Sequence, residues 1–137
     1  MDVNKIIQKV KNVTKDNGSS TVEENVDSEV IQLVSFMLDE VEYGVDILRV
    51  HEILRYPDIT RLPNTPDFIK GVINLRGNVI PVVDVRIRFG FPKGDITDLT
   101  RIIVVETGGK QVGLLVDNVY QVVRIPLTNV DPPSELI

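Results

Sequence analysis

The chain has no cysteine and no tryptophan in its 137 residues, and only one histidine. Alanine is also missing. Without cysteine there can be no disulfide framework, thiolate metal site or cysteine nucleophile. With His51 alone, neither a histidine metal cluster nor a Ser-His-Asp arrangement can be assembled. No apolar run reaches the length of a membrane span, and the first residues lack the apolar block of a signal peptide. The formal net charge of −5 and the pI near 4.8 argue against a general nucleic-acid binder, which needs a basic footprint.

Valine is the commonest residue and isoleucine follows. Apolar content built from β-branched side chains, rather than from alanine and leucine, points to sheet. The length suits one ordinary domain or two small half-domains sharing a core. Charge is unevenly placed along the chain. Residues 29–48 hold five acids and no base, whereas residues 49–88 hold seven bases (Arg49, Arg55, Arg61, Lys70, Arg76, Arg86, Arg88) against four acids. The centre of the chain can therefore present a cationic patch, which suits an acidic protein partner better than a nucleic acid.

In chain order, Val3, Ile6, Ile7, Val10 and Val13 recur at helical spacing among lysines, which predicts a short N-terminal helix. Such a helix is marginal alone and must dock on its own domain or fray. Asp16 to Ser28 is polar, with Asn17-Gly18-Ser19-Ser20, and reads as a linker. Residues 1–28 are thus a helical arm and linker, and the folded domain spans 29–137.

From Glu29 onward, the dense apolar run Val30 to Leu38, the turn Asp39-Glu40 and the alternating Val41, Tyr43, Val45 predict a hairpin. A strand-like Arg49 to Leu54 follows, which also admits a helical reading. This pattern returns sixty-nine positions later, with Ser35-Phe36 matching Val104-Val105 and Gly44 matching Gly113. The match then needs two extra residues in the second copy to bring Val45-Asp46 onto Val116-Asp117. Two similar β-units packed side by side are implied, each too small for a full core by itself. Short helical turns are expected at Asp67-Phe68-Ile69 and from Asp84 to Phe89, the latter ended by Gly90, with a loop from Phe91 to Thr100.

Between the copies, Gly71-Val72-Ile73-Asn74-Leu75-Arg76-Gly77-Asn78-Val79-Ile80-Pro81-Val82-Val83-Asp84-Val85-Arg86 forms a second kind of hairpin. Its turn is expected at Gly77-Asn78, residues that tolerate positive φ. Arg76 lies among apolar walls and cannot shed its charge, so it must reach solvent, pair with an acid such as Glu52 or Asp84, or meet another molecule. Gly71 is either a turn glycine or a point of close backbone approach by a partner. No catalytic pattern competes with this hairpin for function. His51 beside Glu52 reads as a hydrogen-bonded strand residue, Gly108-Gly109-Lys110 reads as a hairpin turn and not a phosphate loop, and Asp46 and Asp117 read as caps of short turns.

The central hairpin, together with Glu42-Tyr43-Gly44-Val45-Asp46-Ile47-Leu48-Arg49-Val50-His51-Glu52-Ile53 and the connector Ile59 to Lys70, resembles the CheW-like chemotaxis coupling domains over roughly residues 29–131. The resemblance implies a mainly all-β fold of two SH3-like five-stranded β-barrels packed together. Set against the resembled family, the last strand and C-terminal helix are expected to be missing from the 29–137 domain. It implies a non-enzymatic adaptor without cofactor or metal that couples chemoreceptor cytoplasmic tips to the regulatory domain of the histidine kinase CheA. Such an adaptor is cytoplasmic, recruited to membrane-associated receptor arrays without inserting into the membrane. Carried over by position, Val50, Glu52, Ile53, Gly71, Asn74 and Arg76 are the partner-binding residues, with Val50 and Ile53 as exposed apolar anchors in helix-in-groove recognition. A stand-alone small-barrel peptide-binding module outside chemotaxis is the alternative.

Overall fold

A computed structural model describes residues 3–10 and 30–126. The elements are β1 (Ile7–Lys9), β2 (Val30–Leu38), β3 (Val41–Asp46), β4 (Val50–Arg55), β5 (Ile69–Leu75), β6 (Asn78–Asp84), a single-turn helix α1 (Val85–Arg88), β7 (Arg101–Thr107), β8 (Lys110–Val116) and β9 (Asn118–Pro126). They form two sheets, one of four strands ordered β1-β3-β2-β9 and one of five ordered β4-β7-β8-β6-β5. The mainly β reading holds. The first sheet has four strands among the described residues where five were expected.

The internal echo is a structural repeat. In the β2–β3 hairpin Ser35 faces Gly44 and Leu33 faces Asp46; in the β7–β8 hairpin Val104 faces Gly113 and Ile102 faces Leu115. Every partner moves by the same sixty-nine positions (35 to 104, 44 to 113). The shift persists into the next strands, where Glu52 faces Val104 and Gln121 faces Ser35. Even the β-bulge repeats, leaving His51 and Tyr120 as the extra residues. The expected two-residue insertion is therefore absent. Val45-Asp46 corresponds to Leu114-Leu115, and the shared Val-Asp dipeptide at 116–117 had drawn the match out of register.

The third strands are exchanged between units. β4 follows the first hairpin but pairs with β7, and β9 follows the second hairpin but pairs with β2. The largest core lies between the sheets and includes Val34, Phe36 and Leu38 of β2, Ile103 and Val105 of β7, and Val112, Leu114 and Val116 of β8. Ile102 and Val104 face the opposite way into a second core with Ile73, Ile80 and Val82. Leu33, Val123 and Ile125 form a third behind the first sheet. β7 is thus apolar on both faces, which explains its unbroken Ile102-Ile103-Val104-Val105 run.

The N-terminal arm differs from expectation. Val3–Lys5 is a 3₁₀ turn and Ile7–Lys9 a strand antiparallel to β3. The spacing of Val3, Ile6 and Ile7 also fits a turn followed by a strand, and the open edge of β3 selects that outcome. All three side chains are buried, so the expected docking on the domain is observed. Residues 11–29 and 127–137, which hold the expected linker and the tail, lie outside the described residues. Other short elements follow the sequence more closely. Asp46 caps the 3₁₀ turn Ile47–Arg49 by accepting from the Leu48 N–H at 2.9 Å. Asp84 caps α1 by accepting from the Ile87 N–H at 3.3 Å. In the stretch from Arg49 to Leu54, Arg49 ends the 3₁₀ turn and strand begins at Val50, and Asp67-Phe68 is a plain turn leading into β5.

Arg86 of α1 fastens the two sheets. Its guanidinium donates to Asp39 at 2.8 Å, to Asp117 at 2.7 Å and to the Pro92 carbonyl at 2.8 Å. Asp39 sits in the β2–β3 turn and Asp117 between β8 and β9, so one side chain ties the first hairpin to the end of the second. The hydrogen bond to Asp39 comes first among the causes that hold this guanidinium firmly protonated. Beside it, Tyr43 packs edge-on to Phe89 and Phe91, and burial pushes its phenol upward. Arg86→Ala leaves two carboxylates facing each other and should lower stability by about 2 to 4 kcal/mol, read as a lower urea midpoint.

Candidate interaction site

The β5–β6 ladder ends with Leu75 facing Asn78, so the turn is Arg76-Gly77, one residue earlier than expected. Both have positive φ, 51° and 89°, the signature of the type I′ turn that matches strand twist. That turn favours asparagine, aspartate or glycine at its first central position, and here an arginine occupies it. Asn74 braces the turn by accepting from the Gly77 N–H at 3.0 Å.

The guanidinium of Arg76 donates to the carboxylate of Glu52. Glu52 belongs to β4 and Arg76 to the turn after β5, the two outer strands of the five-stranded sheet. Their pairing therefore spans the two edges of that sheet. The Arg76 side chain is 71% exposed and that of Glu52 29%. The hydrogen bond to Glu52, then its charge, raises the pKa of the guanidinium further. Screening by water makes an exposed pair of this kind a weak source of stability. Its stronger effect is to aim a fixed cation outward.

Along β4 burial alternates, with His51, Ile53 and Arg55 outward and Val50, Glu52 and Leu54 half-buried. Ile53, at 42% exposure, is an available apolar contact. Val50 is not, because it packs against the core between the sheets. His51 bonds the Glu106 carboxylate at 3.0 Å, and Arg49 donates to the Glu106 carbonyl at 3.3 Å. Gly71 is approached closely, but by the chain's own connector. Thr60 and Val72 exchange backbone hydrogen bonds of 2.9 and 2.8 Å, and a Cβ on Gly71 would lie 2.2 Å from the Thr60 carbonyl oxygen. Glu52 and Arg76 are thus brought together, Asn74 shapes the turn, Ile53 points outward from β4, and Gly71 holds the connector against β5.

Part of the expected cationic patch is engaged within the fold. Arg76 and Arg86 are engaged by Glu52, Asp39 and Asp117, and Arg88 stacks over Phe68 at 4.8 Å. Other surface features were not anticipated. β6 pairs with β8 only from Val82 onward. The diverging starts of these strands leave an open groove of about 830 Å³ lined by Asn78, Val79, Pro81, Glu106 and Lys110. Val79, 66% exposed, lies two residues beyond the turn glycine, Gly77. The repeat also gives β4 a counterpart: His51, Ile53 and Arg55 correspond to the outward Tyr120, Val122 and Arg124 of β9. Exact register of the sequence echo would have identified that second stripe.

The fold is a doubled small-β domain that clasps an outward-aimed cation at the turn between β5 and β6. The model of the CheW-like domain matches residues 32–137. The chemotaxis protein CheW of Klebsiella aerogenes is 41% identical over 104 residues, 76% of this chain and 63% of that protein. CheW of Helicobacter pylori is 36% identical over 109 residues, covering 80% and 66%. The crystal structure of the scaffolding protein TtCheW from Thermoanaerobacter tengcongensis superposes with a TM-score of 0.73 at 43% identity, covering 80% of this chain and 75% of that one. The chain belongs to the CheW-like domain family. It spans about two thirds of the length of the curated relatives it matches. Among the described residues no helix is long and apolar enough to cross a membrane.

Two substitutions separate shape from charge. Gly71→Ala forces its Cβ into the Thr60 carbonyl and should cost at least about 2 kcal/mol in urea unfolding. Arg76→Asn places a favoured residue in the turn while removing the cation, so the urea midpoint should stay level or rise. A clear fall would show that the clasp to Glu52 is a structural brace.

Proposed function

We propose that this chain is a chemotaxis adaptor that couples chemoreceptor cytoplasmic tips to the regulatory domain of the histidine kinase CheA. In this reading it works in the cytoplasm, at membrane-associated receptor arrays. The supporting observation is the Arg76 turn. An arginine held in a left-handed conformation and aimed by Glu52, the neighbour of exposed Ile53 on β4, is an unfavourable local choice that makes sense as a contact for another molecule. Membership of the CheW-like family directs that contact toward chemotaxis partners.

The six site residues then divide by role. Arg76 supplies the cation and Ile53 the apolar anchor, while Glu52 sets the direction of Arg76. Asn74 and Gly71 act by fixing the turn and the connector, and Val50 acts through the core beneath β4. A helical partner laid along β4 would meet the outward stripe of His51, Ile53 and Arg55.

Titration of the chain against a receptor-tip fragment and against the CheA regulatory domain tests this. The unsubstituted chain should bind both. Arg76→Asn and Ile53→Asp should each weaken receptor binding at least about tenfold, with unfolding midpoints preserved, as expected where a few central residues dominate. Binding to neither partner by a folded chain would overturn the proposal and favour a peptide-binding role outside chemotaxis.

A further inference from the structure

The repeat shows how differently the two units cover one equivalent edge. β8 is flanked by β6, a seven-residue strand running parallel, with Val82, Val83 and Asp84 facing Gly113, Leu114 and Leu115. The corresponding edge of β3, Gly44 to Asp46, is covered by β1 instead. That strand has three residues and runs antiparallel, with Ile7 facing Val45, Gln8 facing Gly44 and Lys9 facing Tyr43. Despite its shortness, its segment supplies Val3, Ile6 and Ile7 to the core between the sheets. The edge of β3 is therefore an apolar seat that some strand must fill.

β1 fills it imperfectly. The side-chain oxygens of Asn4 and Gln8 are buried without a hydrogen-bond partner, which weakens the seating of this segment. The tether to the rest of the fold is long. Val10 donates to Glu42, level with Met37 on β2, whereas the described chain resumes at Val30. From strand spacings that gap is about 25 Å. The intervening residues 11–29 number nineteen and can reach ~60 Å.

We propose that residues 3–10 are an exchangeable arm. It occupies the β3 edge of its own chain at low concentration, and that of a second copy when copies are crowded. The same apolar contacts and the same three-residue ladder form in either arrangement, so only concentration decides between them. A tether of this kind gives an effective concentration on the order of mM, and exchange should become measurable as the free concentration approaches it. The exchanged species is a dimer in which each copy contributes the edge strand of the other's first sheet.

The absence of native cysteine makes a clean test available. Ile7 and Val45 face each other, so cysteines there can be joined by a disulfide. Ile7→Cys and Val45→Cys are made in separate chains of different mass, mixed and oxidised, and the linkage is identified by peptide mapping. A 7-to-45 heterodimer, rising tenfold or more between ~10 μM and ~1 mM, is the expected result. The chain carrying both substitutions should close within the monomer at ~10 μM, which also shows that the variants fold. Light scattering of the unmodified chain should show dimer over the same range. Internal closure of the double variant with no heterodimer at ~1 mM, or a monomer by scattering throughout, would overturn the proposal.

Discussion

Because β4 pairs with β7 and β9 with β2, neither unit owns a complete sheet. Everything else depends on this exchange. Pulling the units apart would break two ladders and expose the face of β7 that carries Ile103 and Val105, which share a core with β2. The exchange also builds the site. Glu52 follows the first hairpin in sequence but lies in the second sheet, where it meets Arg76 from the hairpin inserted between the units. A residue from each part of the chain is needed to clasp the turn.

The Arg76-Gly77 turn sets local preference against overall structure. Asparagine or glycine would satisfy the positive φ with less strain. Arginine is held there by what surrounds it: the Asn74 side chain caps the Gly77 N–H, and Glu52 engages the guanidinium. Local rules fail in this way chiefly where a residue has work to do outside its own fold. Arg86 makes the contrast clear. Its guanidinium is nearly enclosed and its charge is used up between Asp39 and Asp117, so it fastens the structure, while the mostly exposed Arg76 presents itself to solvent.

Short-range patterns were legible in the sequence and long-range ones were not. Alternation gave the β2–β3 and β7–β8 hairpins, and Asp46 announced its capped turn, because these depend on neighbours a few residues away. Asp117, expected to cap a turn likewise, instead accepts from Arg86 and from the Asp39 N–H. The arm misled because Val3, Ile6 and Ile7 suit a helix as well as a turn and strand; the open edge that decides lies on β3. Gly71 gave no hint that Thr60 presses on it, and Arg86 none that its partners lie 47 and 31 residues away. The turn slipped by one position because Gly77-Asn78 is the better dipeptide locally, whereas the ladder from Leu75 to Asn78 fixes Arg76-Gly77.

The repeat also shows how two similar surfaces become different. β4 and β9 present equivalent outward stripes, Ile53 answering to Val122 and Arg55 to Arg124. Their inward partners have diverged. Where β4 carries Glu52, β9 carries Gln121, whose amide donates to Glu42 at 3.2 Å. A neutral glutamine bonded within its own sheet cannot aim a guanidinium, so the clasped cation accompanies only the β4 stripe. One charge difference at equivalent positions gives a nearly symmetric scaffold one face that differs from the other, and a partner can distinguish them by the sign of what it brings to Arg76.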